Sequence, residues 1–160
     1  MILYFLRHAE AEDRGPSGDA SRQLTQLGLQ RARQVGVAFS SLQLPLDTIL
    51  TSPLRRAVQT AEQVAGVLGV PLAQETALGG QLAIEDVRRI FQEQDEAVRA
   101  LMLVGHEPDL SAIIGQLIGD ARLEMKKGAI ACVEANGIGR RTGVLRWLMT
   151  GRQMSLIGER

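Results

Sequence analysis

Two unbroken apolar runs constrain the fold of this chain more than any other feature of its sequence. Residues 1–6 (MILYFL) and residues 100–104 (ALMLV) are apolar almost throughout. A strand with one wet face alternates apolar and polar residues, whereas an unbroken apolar run is typical of a strand covered on both faces. Helices supply that cover in α/β proteins. We therefore expect a three-layer α/β/α sandwich around a mostly parallel sheet.

Other segments complete the expected sheet. A short β-branched strand is predicted at 47–51, and two further strands at 129–135 and 143–149. The Asn136-Gly137 dipeptide between the last two is a strong turn signal, so these strands should form a C-terminal antiparallel hairpin.

Helical patterns separate the strands. Helices are predicted at 25–42, 52–68, 84–97 and 108–118, with a short additional strand between the second and the third. In the second helix, Ser52 is a suitable N-cap, Pro53 suits the first helical position and Gly69 follows the last turn.

Length and composition exclude several classes of protein. The 160 residues fit one domain, which we expect to span 1–160. A net charge of +0 provides no general attraction to nucleic acid or anionic membranes, and the single Cys132 excludes an internal disulfide. No apolar run approaches the roughly 20 residues that cross a bilayer, and no basic segment precedes the apolar start. We expect a soluble, cytoplasmic monomer.

The two histidines of the chain occupy equivalent places. His8 and His106 each follow one of the two apolar runs, with a single residue between. Ligands of open α/β sheets bind at the carboxyl ends of the strands. If the two strands are neighbours, both imidazoles face one cleft. A histidine at a strand end is also often a structural residue, and position alone leaves both interpretations open.

Arg55 and Arg56 lie in the first turn of the predicted second helix, where the helix dipole disfavours cations. Departures from a local rule are typical of functional sites, and a helix N-terminus with arginines binds anions well. Alternatively, both guanidinium groups are solvated, at a cost of roughly tenths of a kcal/mol. The helical positions of the two arginines do not decide between these interpretations.

These cations predict a pocket for an oxyanion, most naturally a phosphoryl group. Arg7, next to His8, and the two helix arginines would bind phosphate oxygens, as guanidinium groups do in bidentate fashion. A neutral histidine can attack phosphorus, and a second, protonated one can stabilise the transferring oxygens. The histidines should then titrate as a coupled pair. No metal site and no cofactor are expected.

Several motifs resemble one known family. Arg7-His8-Ala9 is similar to the RHG or RHA signature of the histidine phosphatase superfamily, which has the phosphoglycerate-mutase-like fold. Residues 24–32 (LTQLGLQRA) resemble its LTxxGxxQA segment, and residues 51–62 (TSPLRRAVQTAE) its TSPLxRAxQTAE segment. Residues 103–108 (LVGHEP) resemble its second-histidine motif. The resemblance runs in order through about residues 1–135.

Within the superfamily, the short chain, the RHA form and residues 126–129 (KKGA) resemble the SixA-type branch of bacterial phosphohistidine phosphatases. The resemblance implies that His8 is the nucleophile and becomes a covalent phosphohistidine, which water then hydrolyses. It assigns the oxygens of the phosphoryl group to Arg7, Arg56 and His106, and places Arg55 at a variable position. It implies no metal ion, because fixed cations replace it.

Relatives that act on phosphate esters use a carboxylic acid to protonate the leaving group. Its counterpart would lie in 75–85 (ETALGGQLAIE), without a residue that stands out. Glu75, Glu85 and Glu107 are candidates, and each is more simply an ordinary surface carboxylate. A chain without a strong general acid would suit an imidazole leaving group, which needs less protonic help than an alkoxide.

Three hypotheses about function remain. The first is a phosphatase that removes phosphate from a histidine of a partner protein, such as a phosphotransfer or signalling domain. The second keeps the chemistry but takes small phosphate esters or other phosphoproteins. The third is a phosphate-binding scaffold without turnover. The polar loop 13–23 and the loop 75–84 flank the predicted pocket and are candidates for a docking rim. Binding of nucleic acid or of a membrane is not expected.

Overall fold

A six-stranded sheet forms the middle layer of the protein. The computed structural model describes residues 1–159. The strands are β1 (Ile2–Arg7), β2 (Thr48–Thr51), β3 (Leu72–Gln74), β4 (Ala100–Gly105), β5 (Ile130–Ala135) and β6 (Gly143–Met149). Their order across the sheet is β3-β2-β4-β1-β5-β6. The first four are mutually parallel, and β5 and β6 are antiparallel to their neighbours.

Helices cover both faces of this sheet. They are α1 (Gln26–Ser41), α2 (Arg55–Leu68), α3 (Ile84–Glu93), α4 (Asp109–Leu117) and α5 (Gly151–Gly158). Tyr4 and Leu6 of β1 pack in one apolar cluster with α1, α2 and α5. Leu3 and Phe5 pack in a second cluster with α3 and α4. The expected three-layer α/β/α architecture with a C-terminal antiparallel hairpin is therefore confirmed.

Three local expectations differ from the structure. The predicted cap at Ser52 is wrong: α2 begins at Arg55 with Leu54 as its N-cap, because the Ser52 amide still donates to Val104 O of β4. The third helix ends at Glu93 rather than at 97, since Asp95 forms a turn in which its carboxylate accepts from Ala97 N.

The third difference is α5, which the sequence interpretation missed entirely. Its N-terminus is closed by a capping box in which Thr150 accepts from Gln153 N and the Gln153 side chain accepts from Thr150 N. That Thr-x-x-Gln pattern was the available signal. In the described residues 1–159, no helix combines the length and apolarity needed to span a membrane.

The topology brings three strand ends together. β4 lies between β1 and β2, and all three run in the same direction, so their carboxyl ends meet at one edge. The His8 amide donates to Gly105 O at 3.1 Å, across β1 and β4, while Ser52 lies directly after β2. Residues that follow these strands are therefore adjacent in space although up to about a hundred positions separate them.

Candidate active site

The two histidines face each other at this edge of the sheet. The ring centroids of His8 and His106 are 5.2 Å apart, and the planes are tilted by 52°. Both residues are buried, with 5% and 9% of their surface exposed. The structure therefore brings the two imidazoles together, as expected if their strands are neighbours.

A backbone hydrogen bond determines the tautomer of His8. Its Nδ1 lies 2.7 Å from the carbonyl oxygen of Ala9. A carbonyl can only accept, so Nδ1 is the nitrogen that carries the proton. The lone pair of a neutral His8 is then on Nε2, which is the arrangement a nucleophilic imidazole needs.

His106 is held from the other side by Ser52. The Nε2 of His106 lies 2.7 Å from Ser52 Oγ, which also accepts from Leu54 N at 3.2 Å. Ser52 Oγ retains its hydrogen to donate, and when it donates to Nε2 the proton of the neutral imidazole is on Nδ1. That Nδ1 is buried and has no hydrogen-bond partner within residues 1–159.

Arg7 and Arg56 each have a buried N–H group without an acceptor among residues 1–159. Arg7 Nη1 donates to Met125 O at 2.9 Å, while Arg7 Nε is buried without a partner in the described chain. Arg56 donates from Nη1 and Nη2 to the backbone carbonyl and the carboxylate of Asp19, and its Nε is likewise unpaired among residues 1–159. Buried donors of this kind are normally satisfied, so they mark a place for an acceptor.

The two neighbouring arginines have different environments. The Arg56 side chain is 8% exposed, whereas that of Arg55 is 47% exposed and lies near Glu62. The helical pattern left open which of the two arginines faces the site. The burial of Arg56 and the exposure of Arg55 indicate that it is Arg56.

Both histidines are neutral in this environment. Burial first, and then the charges of His106, Arg56 and Arg7, lower the pKa of His8 to about 3, against the opposing hydrogen bond to Ala9. Burial and then Arg56 lower the pKa of His106 to about 4, against the opposing charges of Asp109 and Asp19. A bound dianion would reverse the effect of the cations and raise both values.

The three carboxylate candidates for a general acid have partners of their own. Glu75 accepts from Arg89 and from Ala77 N, and Arg89 holds the pKa of Glu75 below its usual range, which favours the ionised form. Glu85 is largely exposed beside Arg88. Glu107 accepts from the backbone amide and the hydroxyl of Ser111.

Sequence reasoning missed three supporting residues. Ser52 was interpreted as a helix cap, but it binds His106. Asp19, in the loop interpreted only as polar, holds Arg56. Thr60 accepts from Ala9 N at 3.1 Å and thereby fixes the backbone that follows His8. The sequence signal for Ser52 and Thr60 was their place in residues 51–62, which resemble the family motif, whereas Asp19 had none.

The sequence of this chain matches a known protein family. The model of the histidine phosphatase superfamily (branch 1) matches residues 3–83. A phosphohistidine phosphatase SixA homolog of Haemophilus influenzae is 30% identical over 131 residues, which are 74% of this chain and 78% of that protein. The chain belongs to the histidine phosphatase superfamily.

Two further similar proteins agree with this chain in extent or in fold. An uncharacterized protein of Picosynechococcus sp. is 38% identical over 160 residues, 91% of this chain and 88% of its own length. The structure of the protein histidine phosphatase SixA complexed with tungstate superposes with a TM-score of 0.83 at 23% identity, covering 96% of this chain and 99% of that one. The 30% identity to the SixA homolog of Haemophilus influenzae assigns this histidine phosphatase to the SixA-type branch, and the superposition shows the same fold.

Proposed function

We propose that this histidine phosphatase removes the phosphoryl group from a phosphohistidine on a partner protein, through a covalent intermediate on His8. The observation that carries the proposal is the buried cluster in which His8 Nε2 has a free lone pair near the unpaired Nε of Arg7 and of Arg56 and the unpaired Nδ1 of His106. The similarity to a protein named phosphohistidine phosphatase supports the choice of substrate.

Each residue has a defined part in the reaction. His8 Nε2 attacks phosphorus in line, the P–N bond to the substrate imidazole breaks, and the phosphoryl group is transferred to His8. Arg7, Arg56 and Nδ1 of His106 donate to its oxygens and stabilise the charge of the transition state. Water then attacks the phosphohistidine and releases inorganic phosphate, which restores neutral His8.

The environment of the carboxylates is consistent with an imidazole leaving group. The ionised state of Glu75 and the exposure of Glu85 make both weak proton donors at the pocket. An imidazole accepts a proton from solvent near neutral pH and leaves as a neutral molecule, so the reaction does not depend on a strong acid.

The first prediction concerns the nucleophile. Wild type and His8→Ala are incubated with a histidine-phosphorylated phosphotransfer domain and, separately, with p-nitrophenyl phosphate, in the presence of EDTA. We expect rapid release of phosphate from the domain by wild type and no release by His8→Ala. Wild type quenched in alkaline denaturant should carry phosphate that is stable to alkali and is released by acid, as phosphohistidine is. Full activity of His8→Ala would refute the proposal.

The two adjacent arginines provide a matched control. Arg56→Gln removes a buried donor and should lower kcat/KM by about 10²–10³-fold, as the loss of one transition-state donor does. Arg55→Gln removes the same charge one residue away, from an exposed side chain, and should change kcat/KM less than about twofold. Equal losses in the two variants would show that net charge, and not a direct contact, is responsible.

A further inference from the structure

A second group of cations lies next to the proposed phosphate pocket. Arg7, Arg31, Lys126, Lys127 and Arg152 line a cavity of about 410 Å³, together with Glu10 and the first residues of α5. We call it the basic cavity. Its volume corresponds to roughly a dozen water molecules, so it has room for more than one small anionic group. The chain as a whole has a formal net charge of +0, so these cations concentrate positive charge at one place on it.

Most of this charge is not neutralised locally. Arg31 forms an ion pair with Glu10. By contrast, Arg7, Lys126, Lys127 and Arg152 form no ion pair with any carboxylate of residues 1–159. Both lysines of the chain are in this group. The N-terminus of α5, with its N-cap Thr150, adds the positive end of a helix dipole.

Backbone hydrogen bonds hold the lysines beside the proposed nucleophile. Gly128 N donates to His8 O at 3.0 Å, and Arg7 N donates to Ala129 O at 3.0 Å. The Arg7 side chain donates to Met125 O, directly before the two lysines. Lys126 and Lys127 therefore lie in a segment paired with residues 7 and 8, so an anion in the basic cavity is a close neighbour of a phosphoryl group at His8.

We infer that the basic cavity binds acidic side chains on the surface of the phosphorylated partner, close to its phosphohistidine. The inference rests on the proposed function. Lys126, Lys127 and Arg152 are exposed, so their charges are presented outward to a macromolecular surface rather than enclosed around a small ligand. Exposed charges of one sign steer an oppositely charged protein and fix its orientation more than they add affinity. This surface is distinct from the loops 13–23 and 75–84, which the sequence indicated as a docking rim.

The test compares two triple variants that remove the same charge. One carries Lys126→Gln, Lys127→Gln and Arg152→Gln, and Arg7 is kept because the phosphate pocket uses it. The control carries Arg33→Gln, Arg99→Gln and Arg122→Gln, three exposed arginines outside the basic cavity. Each protein is assayed at several salt concentrations with three substrates. These are a phosphorylated phosphotransfer domain rich in acidic residues around its histidine, free phosphohistidine, and a short alkanediol bisphosphate.

We expect the cavity variant to lose roughly tenfold in kcat/KM on the phosphorylated domain, mainly through KM, because three exposed charge pairs are removed. Its activity on free phosphohistidine should stay within about twofold of wild type, and its rate on the domain should depend less on salt. The control variant should have the kcat/KM of wild type on the phosphorylated domain and on free phosphohistidine.

The other outcomes overturn the inference in different ways. If wild type hydrolyses neither the domain nor free phosphohistidine, the proposed function fails, and the inference fails with it. If wild type is active and the cavity variant keeps its kcat/KM on the domain, only the inference fails. A loss of kcat/KM confined to the bisphosphate would assign the basic cavity to a small ligand. Equal losses of kcat/KM in both triple variants would show that the basic cavity has no specific role in binding the partner.

Discussion

Ser52 is the residue that links β2 and the histidine-bearing strand β4 to the start of α2. It follows β2, its amide donates to β4, and its hydroxyl contacts His106 Nε2 at 2.7 Å. When the hydroxyl donates to Nε2, the proton of neutral His106 is on Nδ1, the nitrogen available to a phosphoryl oxygen. Ser52 therefore acts through His106 and is a positioning residue.

Removal of this hydroxyl is a prediction at the residue scale. Ser52→Ala should lower kcat/KM about fivefold to tenfold, because one buried neutral hydrogen bond contributes about 1 kcal/mol. The fall should be in kcat, with KM for p-nitrophenyl phosphate nearly unchanged. Ser155→Ala is the control, since Ser155 is also buried and its Oγ has no partner in the described chain. Identical kcat values for the two variants would contradict the assigned part of Ser52.

At the scale of elements, the start of α1 packs directly on the segment that follows His8. Thr25 caps α1 by accepting from Gly28 N, and both the amide and the hydroxyl of Thr25 contact Glu10 O. A Cβ on Gly28 would lie 2.0 Å from that same carbonyl oxygen. The glycine of the LTxxGxxQA segment is thus required by close approach of two backbones, and α1 holds residues 9–11 in place.

Two helix glycines allow this to be measured. Gly28→Ala should lower the free energy of unfolding by about 1–3 kcal/mol, because the added methyl group has no room. Gly66→Ala, in α2, should raise it by roughly 0.5–1 kcal/mol, because nothing lies within 4 Å of the added Cβ and alanine is the better helix former. Urea unfolding measures both. Stabilisation by Gly28→Ala would show that the segment after His8 moves freely away from α1.

At the scale of the whole molecule, the fold concentrates cations and neutral histidines at one edge of the sheet. Arg7 and Arg56 lie beside two imidazoles whose pKa values are lowered to about 3 and about 4. Unfolding releases both histidines to their ordinary pKa of about 6.5. The unfolded chain therefore binds more protons than the folded one between these values.

This difference predicts the pH dependence of stability. Because the unfolded state takes up the protons, the free energy of unfolding should fall as the pH decreases from about 6.5 to about 4. Inorganic phosphate should reduce the fall, since a bound anion raises the pKa of both histidines. Urea unfolding at a series of pH values, with and without phosphate, measures this. The double variant His8→Asn, His106→Asn contains no histidine, so its free energy of unfolding should be nearly constant between about pH 5 and 6.5, where free histidines titrate. An unchanged slope in this variant would contradict the assignment to the histidines.

Local patterns of the sequence determined the elements and the places of several polar residues. The unbroken runs before His8 and His106 predicted buried strands, and the period of residues 52–68 predicted a helix, because burial of each face is recorded within a few neighbouring positions. Residues that directly follow strands had to lie at a sheet edge. Recognition of the family motifs then separated Arg56 from Arg55.

Only the tertiary structure decided which of these pieces meet. That β4 lies between β1 and β2, that Ser52 binds His106, and that the segment of Lys126 and Lys127 pairs with His8 all depend on contacts between remote positions. The burial of Arg56 and the position of α5 against α1 depend on them as well. The free energy of such contacts arises from packing and hydrogen bonding across the chain, and no local window of sequence contains both partners.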